Sequence, residues 1–210
     1  MNTLIFAGIG EVLFDVFEDG TETVGGAPLN FAVHMHQLAG HFGIGSGTVV
    51  SCINADRRGI HVIDALCWRG ISTCYIGMDS LHPTGLASVV MKNGEPGYQI
   101  EADAAWDYIP DKPAMKELAG KCRAVCFGSL AQRSGQSRAT IRNFLRNAPQ
   151  AIRLYDVNLR QNALSKEPGY SPEIIAYSCM EATVIKANQN ELFEMLALLG
   201  IDGPEDRATA

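Results

Sequence analysis

Strand-like apolar runs and helix-periodic segments take turns along almost the whole chain, and that alternation constrains the fold more than any other feature. Residues 3–9, Thr-Leu-Ile-Phe-Ala-Gly-Ile, form an apolar run closed by Gly10 and predict a buried central strand. Apolar residues from Val12 to Phe17, around Asp15, predict a second strand after a break. Gly25-Gly26 then punctuates the chain, and Pro28 stands where a first-turn proline belongs. Leu29, Ala32, Val33, His36 and Leu38-Ala39 follow at helical spacing, with Gly40 as the expected stop. Further strands are predicted over 44–53, 124–127, 152–157 and 182–186, and helices over 56–69, 137–147, 172–180 and 190–199. Strands alternating with helices predict an α/β fold, a mostly parallel sheet flanked by helices.

Residues 86–101 depart from that rhythm. Leu86, Ser88, Val90, Tyr98 and Ile100 alternate around Lys-Asn-Gly-Glu-Pro-Gly, which is turn chemistry, and predict a β-hairpin. Joined by a strand at about 11–18, it would form a small β-sheet beside the main one.

Composition narrows the function. A chain of 210 residues, 47% hydrophobic and 19% charged, can bury one sizeable core and is not a disordered protein. Its net charge of −6 excludes a broad phosphate-neutralising surface for nucleic acid, so any anionic ligand needs a local site. The six cysteines include no CxxC pair, and buried free thiols are expected ahead of a metal or redox role. The N-terminus lacks a basic segment and meets Glu11 and Asp15 early, and no apolar run approaches the ~20 residues of a membrane span. A cytoplasmic protein with no membrane partner is expected.

Three stretches, and Asp15 apart from them, are placed to carry chemistry. Gly25-Gly26-Ala27-Pro28-Leu29-Asn30 opens a helix whose first N–H groups are free, and its glycines allow backbone to lie close to a ligand; a helix-capping loop is the plain alternative. Asp15, in an apolar run, either ends a strand in solvent or accepts hydrogen bonds from a polyhydroxyl ligand. Asp156-Val157-Asn158-Leu159-Arg160 follows a strand, at the carboxyl end where ligands gather in open α/β sheets. Arg160 there suits a phosphate or carboxylate, or else a salt bridge to a neighbouring loop. Asn188 and Glu191 also follow a strand, and their spacing favours a capping box, with indirect Mg²⁺ binding by Glu191 as the functional alternative.

Other motifs are incomplete. Gly8-Ile9-Gly10 follows a strand but position 13 is Leu, and Gly43, Gly45 and Gly47 share that defect, so neither completes a dinucleotide fingerprint. No GxxxxGK[ST] string occurs. His34 and His36, two apart on a helix, face different sides and make a poor metal pair.

Taken in order, the chain resembles the ribokinase-like (PfkB) carbohydrate kinases, and within them the bacterial fructokinase-like members. The matching text is Gly10-Glu11 with Asp15, Gly25-Gly26-Ala27-Pro28 with Asn30, His82-Pro83-Thr84-Gly85, Ala105-Trp106-Asp107, Phe127-Gly128-Ser129-Leu130, Asp156-Val157-Asn158-Leu159-Arg160, and Lys186-Ala187-Asn188 with Glu191. The resemblance implies one ribokinase-like α/β domain over 1–210 with a β lid. It further implies ATP as phosphoryl donor, Mg²⁺ as helper, and a small sugar, fructose first, as acceptor. Asp15, Gly25, Gly26 and Asn30 match positions that hold sugar hydroxyls. Asn158 and Arg160 match positions near the substrate and the transferred phosphate, and Asn188 and Glu191 match an N-x-x-E linked to ATP and, indirectly, to Mg²⁺. The lid excludes water and pairs with a second subunit's lid, so a homodimer is expected.

The chain also departs from the family. The G-A-G-D segment that carries the family's catalytic base and anion hole has no match here, and the loop Ile53–Gly59 lacks the glycine that relatives favour before the acidic pair. No catalytic base is therefore assigned. The chain is expected not to complete the reaction alone, and to show an exposed sheet edge with dimerisation or marginal stability. Three readings stay open: a fructose kinase, a kinase for a nucleoside or another sugar, and a non-catalytic sugar-binding remnant.

Overall fold

The computed structural model describes residues 3–92, 95–160 and 170–201. β1 (Leu4–Ile9) lies inside a six-stranded sheet with β4 (Gly45–Asn54), β5 (Ile76–Asp79), β8 (Cys122–Gly128), β9 (Ile152–Asp156) and β10 (Val184–Lys186). The order is β10-β9-β8-β1-β4-β5, and every pairing is parallel. Ala7, Ile9, Val49, Val50, Val125 and Phe127 are fully buried, as expected of strands covered on both faces.

The helices are α1 (Ala27–His41), α2 (Arg57–Trp68), α3 (Pro113–Lys121), α4 (Gly135–Arg146), α5 (Pro172–Glu181) and α6 (Gln189–Leu198). α1 lies directly on the sheet. A Cβ at Gly8 or Gly47 would come within 1.9 Å of the carbonyl oxygens of Pro28 and Ala32 respectively, so these glycines let a helix backbone touch the strands. Gly8 and Gly47 of the incomplete glycine patterns thus serve packing.

A second, four-stranded sheet has the order β3-β2-β6-β7, with β2 (Leu13–Val16), β3 (Glu22–Gly25), β6 (Gly85–Lys92) and β7 (Glu95–Ile100). β6 and β7 pair antiparallel from Ala87↔Ile100 to Lys92↔Glu95, which is the expected hairpin; its turn, Asn93-Gly94, lies outside the described residues. β2 joins β6 in parallel and β3 antiparallel. The fold class therefore stands as expected, α/β with a small separate β-sheet.

Several local expectations need correction. α1 runs through Gly40 and ends at His41, because the left-handed residue that stops it is Gly43 at φ 63°. β3, β5 and α3 were not foreseen in the sequence. The cysteines divide: Cys52, Cys122 and Cys126 are buried, Cys179 is half-buried, but Cys67 and Cys74 are exposed. Burial pushes the Cys52 thiol up to about 11 and that of Cys122 up to about 12, so both stay protonated at neutral pH.

β10 forms one edge of the main sheet, with Val184 and Ile185 each 45% exposed. No helix among the described residues is long and apolar enough to cross a membrane.

Candidate functional site

The two sheets meet where the main chain leaves β1. Glu11 follows that strand and β2 then turns into the small sheet, so this junction brings carboxylates next to the start of α1. A cavity of about 180 Å³ opens here, with Glu11, Asp15, Asn30, Asn158 and Arg160 as its polar lining. Leu13, Ala87 and Ile100 from the small sheet, with Leu130 from beyond β8, supply apolar wall.

Gly25 and Gly26 are demanded by sterics at this junction. A Cβ at Gly25 would stand 2.6 Å from Asp15 Oδ2, so its absence leaves room for the carboxylate. Gly26 has φ 120°, a region closed to other residues, and a Cβ there would meet the Glu11 carbonyl oxygen at 2.4 Å. Gly26 offers no side chain to cap α1, and Glu11 Oε1 takes that part by accepting the Ala27 N–H at 3.2 Å. Burial raises the Asp15 carboxyl above its ordinary range, and Arg160 partly offsets this.

The far wall is the turn after β9. Asn158 adopts φ 38°, a left-handed conformation that Asn tolerates better than most residues. Its predecessor is pinned: Ser129 Oγ donates to the Val157 carbonyl at 2.9 Å and pairs with the buried Tyr155 hydroxyl at 2.5 Å. Arg160 donates from Nη1 to the Leu159 carbonyl at 3.0 Å, and its guanidinium lies 4.8 Å from the Tyr98 ring centroid on β7. That contact ties the small sheet to the main-sheet loop.

Asn188 and Glu191 do form the capping box that their spacing favoured. Asn188 Oδ1 accepts the Glu191 N–H, and Glu191 Oε2 accepts the Asn188 N–H, each at 2.9 Å. Glu191 Oε1 reaches further and accepts the Leu159 N–H at 3.1 Å. Nearby, Lys186 Nζ donates to both Asp156 carboxylate oxygens at 2.9 Å.

The structure thus gathers Asp15, Gly26, Asn30, Asn158 and Arg160 around one cavity, with Gly25 making space for Asp15. Asn188 and Glu191 stand outside its lining and act on it through the Leu159 amide. Glu11 is the site residue to which sequence reasoning gave no role, although Gly10-Glu11 stood in the matching text. Its signal was a carboxylate directly after the central strand, beside Gly10.

Among the described residues no cluster of three or more His, Cys, Asp or Glu side chains is arranged to hold a metal directly. Each Glu191 oxygen accepts one N–H and keeps a second lone pair free to accept from water or to meet a cation. A larger cavity of about 490 Å³ lies near Asp107, Arg133 and Arg138. Arg133 is engaged there by Asp107, at 2.9 and 2.7 Å, and stacks over Trp106 at 4.1 Å, so this cation serves the core.

Solved structures share this fold. A sugar kinase from Pyrococcus horikoshii superposes with a TM-score of 0.78 at 24% identity, over 94% of this chain and 67% of its own. A fructokinase from Xylella fastidiosa, solved with bound ATP, gives 0.79 at 23% identity, over 95% and 62%. Halothermothrix orenii fructokinase gives 0.76 at 20%, over 96% and 73%. The fold is that of the ribokinase-like sugar kinases. No family model matches the sequence, and none of the curated proteins does. The chain spans about two thirds of the length of these sugar kinases, from 62 to 73%. In the sugar-kinase fold as this chain presents it, the small sheet covers the ends of β1 and β9, and the cavity lies between them.

Proposed function

We propose that the chain carries the sugar-binding part of an ATP-dependent sugar kinase, with fructose as the first candidate acceptor. The observation that carries the reading is the polar lining: two carboxyls, Glu11 and Asp15, face two asparagines, Asn30 and Asn158, with Arg160 as the cation. The acceptor Asp15 and the mixed donor and acceptor amides of Asn30 and Asn158 suit the hydroxyls of a neutral polyol, whereas the charge of a sugar acid would meet Asp15. Fructokinases among the superposing structures, one of them with bound ATP, favour the same substrate class.

In this reading Asp15 accepts hydrogen bonds from sugar hydroxyls, while Asn30 and Asn158 hold others. Arg160 neutralises charge on the transferred phosphoryl group, because phosphoryl transfer depends mostly on positioning and charge compensation. Glu191 and Asn188 steady the Arg160 loop and offer Glu191 oxygens to water on Mg²⁺. The lid formed by β2, β3, β6 and β7 keeps water from ATP. The open edges at β3 and β7 support pairing with the lid of a second copy. The base that takes the sugar proton belongs, by the family resemblance, to a G-A-G-D segment not contained in these 210 residues. Sugar binding is the part of this function that the residues around the cavity support.

The test is calorimetric titration with fructose and then ATP–Mg²⁺, alongside a coupled assay for ADP. Binding of fructose without ADP formation is the expected result. Turnover at ordinary kinase rates would mean that another carboxylate serves as base, and no binding of fructose or any other neutral sugar would sink the reading.

A further inference from the structure

Glu11 has a property that capping α1 does not use up. It is 1% exposed and lines the same cavity as Asp15, Asn30 and Arg160. Oε1 is occupied by the Ala27 N–H at 3.2 Å, but Oε2 has no hydrogen-bond partner among the described residues. Buried polar atoms without partners are rare in folded proteins and call for an explanation. A cavity whose lining already fits a polyol supplies one.

The surroundings decide which form of the carboxyl is present. Asp156 at the end of β9 repels the anion, although Lys186 of β10 is paired with Asp156 at 2.9 Å. Arg160, beyond β9, favours the anion, and Asp15 of β2 lines the same cavity. Cys126 of β8 is a buried thiol whose burial keeps it neutral. Desolvation outweighs the hydrogen bonds and Arg160, and the Glu11 carboxyl is pushed up to about 7.

We propose that Glu11 is a ligand-recognition residue of the cavity, whose Oε2, as the neutral acid, donates a hydrogen bond to a hydroxyl oxygen of the sugar. The inference rests on the sugar-site reading above. It places a donor beside the acceptor Asp15, in addition to the Asn30 and Asn158 amides and the Arg160 guanidinium. Binding retains the Glu11 proton, so affinity is level in mildly acidic solution and declines above neutrality by about tenfold per pH unit. Asp15 works in the opposite direction, since it accepts best when ionised and its titration strengthens binding as pH rises.

The experiment titrates fructose calorimetrically into the full chain from about pH 6 to about pH 9, for the wild type and Glu11→Gln, with the wild type repeated in two buffers of different ionisation enthalpy. The expected result is a wild-type affinity that falls about tenfold between about pH 7.5 and 8.5, with proton uptake on binding. Glu11→Gln, whose amide nitrogen donates at every pH, should bind with an affinity that stays level there. Fructose binding that is independent of pH, or accompanied by proton release, overturns the role of Glu11 and leaves the sugar site standing. No binding at any pH overturns the sugar reading and the role of Glu11 together. If Glu11→Gln does not fold, the sign of the wild-type proton exchange decides alone.

Discussion

Glu191 accepts the Leu159 amide hydrogen at 3.1 Å, and this bond joins the start of α6 to the turn that presents Asn158 and Arg160. The same carboxylate closes the capping box with Asn188. One side chain therefore satisfies two backbone donors from segments 32 and 3 residues away, and a helix cap becomes a support for the site.

Replacing Glu191 with Ala should consequently cost more than an ordinary cap. Loss of a cap and of a second, partly buried acceptor together amounts to about 1–3 kcal/mol. A lower urea midpoint with an unchanged slope checks this. A stability equal to the wild type would mean that the Leu159 amide finds another acceptor without cost.

Gly25 and Gly26 should respond differently to the same substitution. In Gly25→Ala the new methyl meets Asp15 Oδ2 at 2.6 Å, so the carboxylate must turn away while the backbone stays in place. Fructose affinity should fall at least about tenfold with a stability change of only about 1 kcal/mol. In Gly26→Ala the backbone itself is strained at φ 120° and the methyl meets the Glu11 carbonyl at 2.4 Å, so stability should fall by about 1–3 kcal/mol. Melting curves beside sugar titrations separate the two, and equal losses in both variants would contradict the distinction.

The main sheet was legible because β1, β4 and β8 are apolar on both faces, so burial leaves its mark along the whole run. β3 and β5 have only four residues each at sheet edges, and α3 has nine, too few for a period to show. Asn188 and Glu191 were legible as a cap because capping is local, three residues apart. Glu11 was not, since what makes it unusual is the helix start at Ala27 and the turn after Asp156, neither of which its own neighbours in sequence reveal. The site residues at 15, 25, 26, 30, 158 and 160 came from an ordered resemblance, and spacing alone left each with a plain structural alternative.

Ser129 holds the Asn158 turn from behind, through the Val157 carbonyl at 2.9 Å and the Tyr155 hydroxyl at 2.5 Å. Ser129→Ala strands buried polar groups and should destabilise by about 1–3 kcal/mol. Removing the Tyr155 hydroxyl as well, in Ser129→Ala with Tyr155→Phe, takes away one stranded group, so the double variant should cost less than the sum of the singles. Strict additivity in denaturant titrations would mean that the two hydroxyls do not interact.

Glu11 should leave a mark on stability even without a ligand. Burial first, then Asp156, raises its carboxyl in the folded state from 4.5 to about 7, against the opposing hydrogen bonds and Arg160. The folded chain thus binds more protons than the unfolded chain between those values, and stability falls as pH rises through that window. The contribution is complete below about pH 4.5, is lost by about pH 7, and amounts to about 3 kcal/mol over the whole range. Carboxylates held below their usual range, such as Asp56 and Asp79, act in the opposite sense at lower pH, so the wild-type curve alone would blend the two. Subtracting the curve for Glu11→Gln, which cannot ionise, isolates the contribution of the Glu11 carboxyl. The difference between the two proteins should shift in favour of the variant as pH climbs from about 5 to about 7 and then stay level. A difference that is flat across the window would show that Glu11 ionises in the folded chain as it does in water.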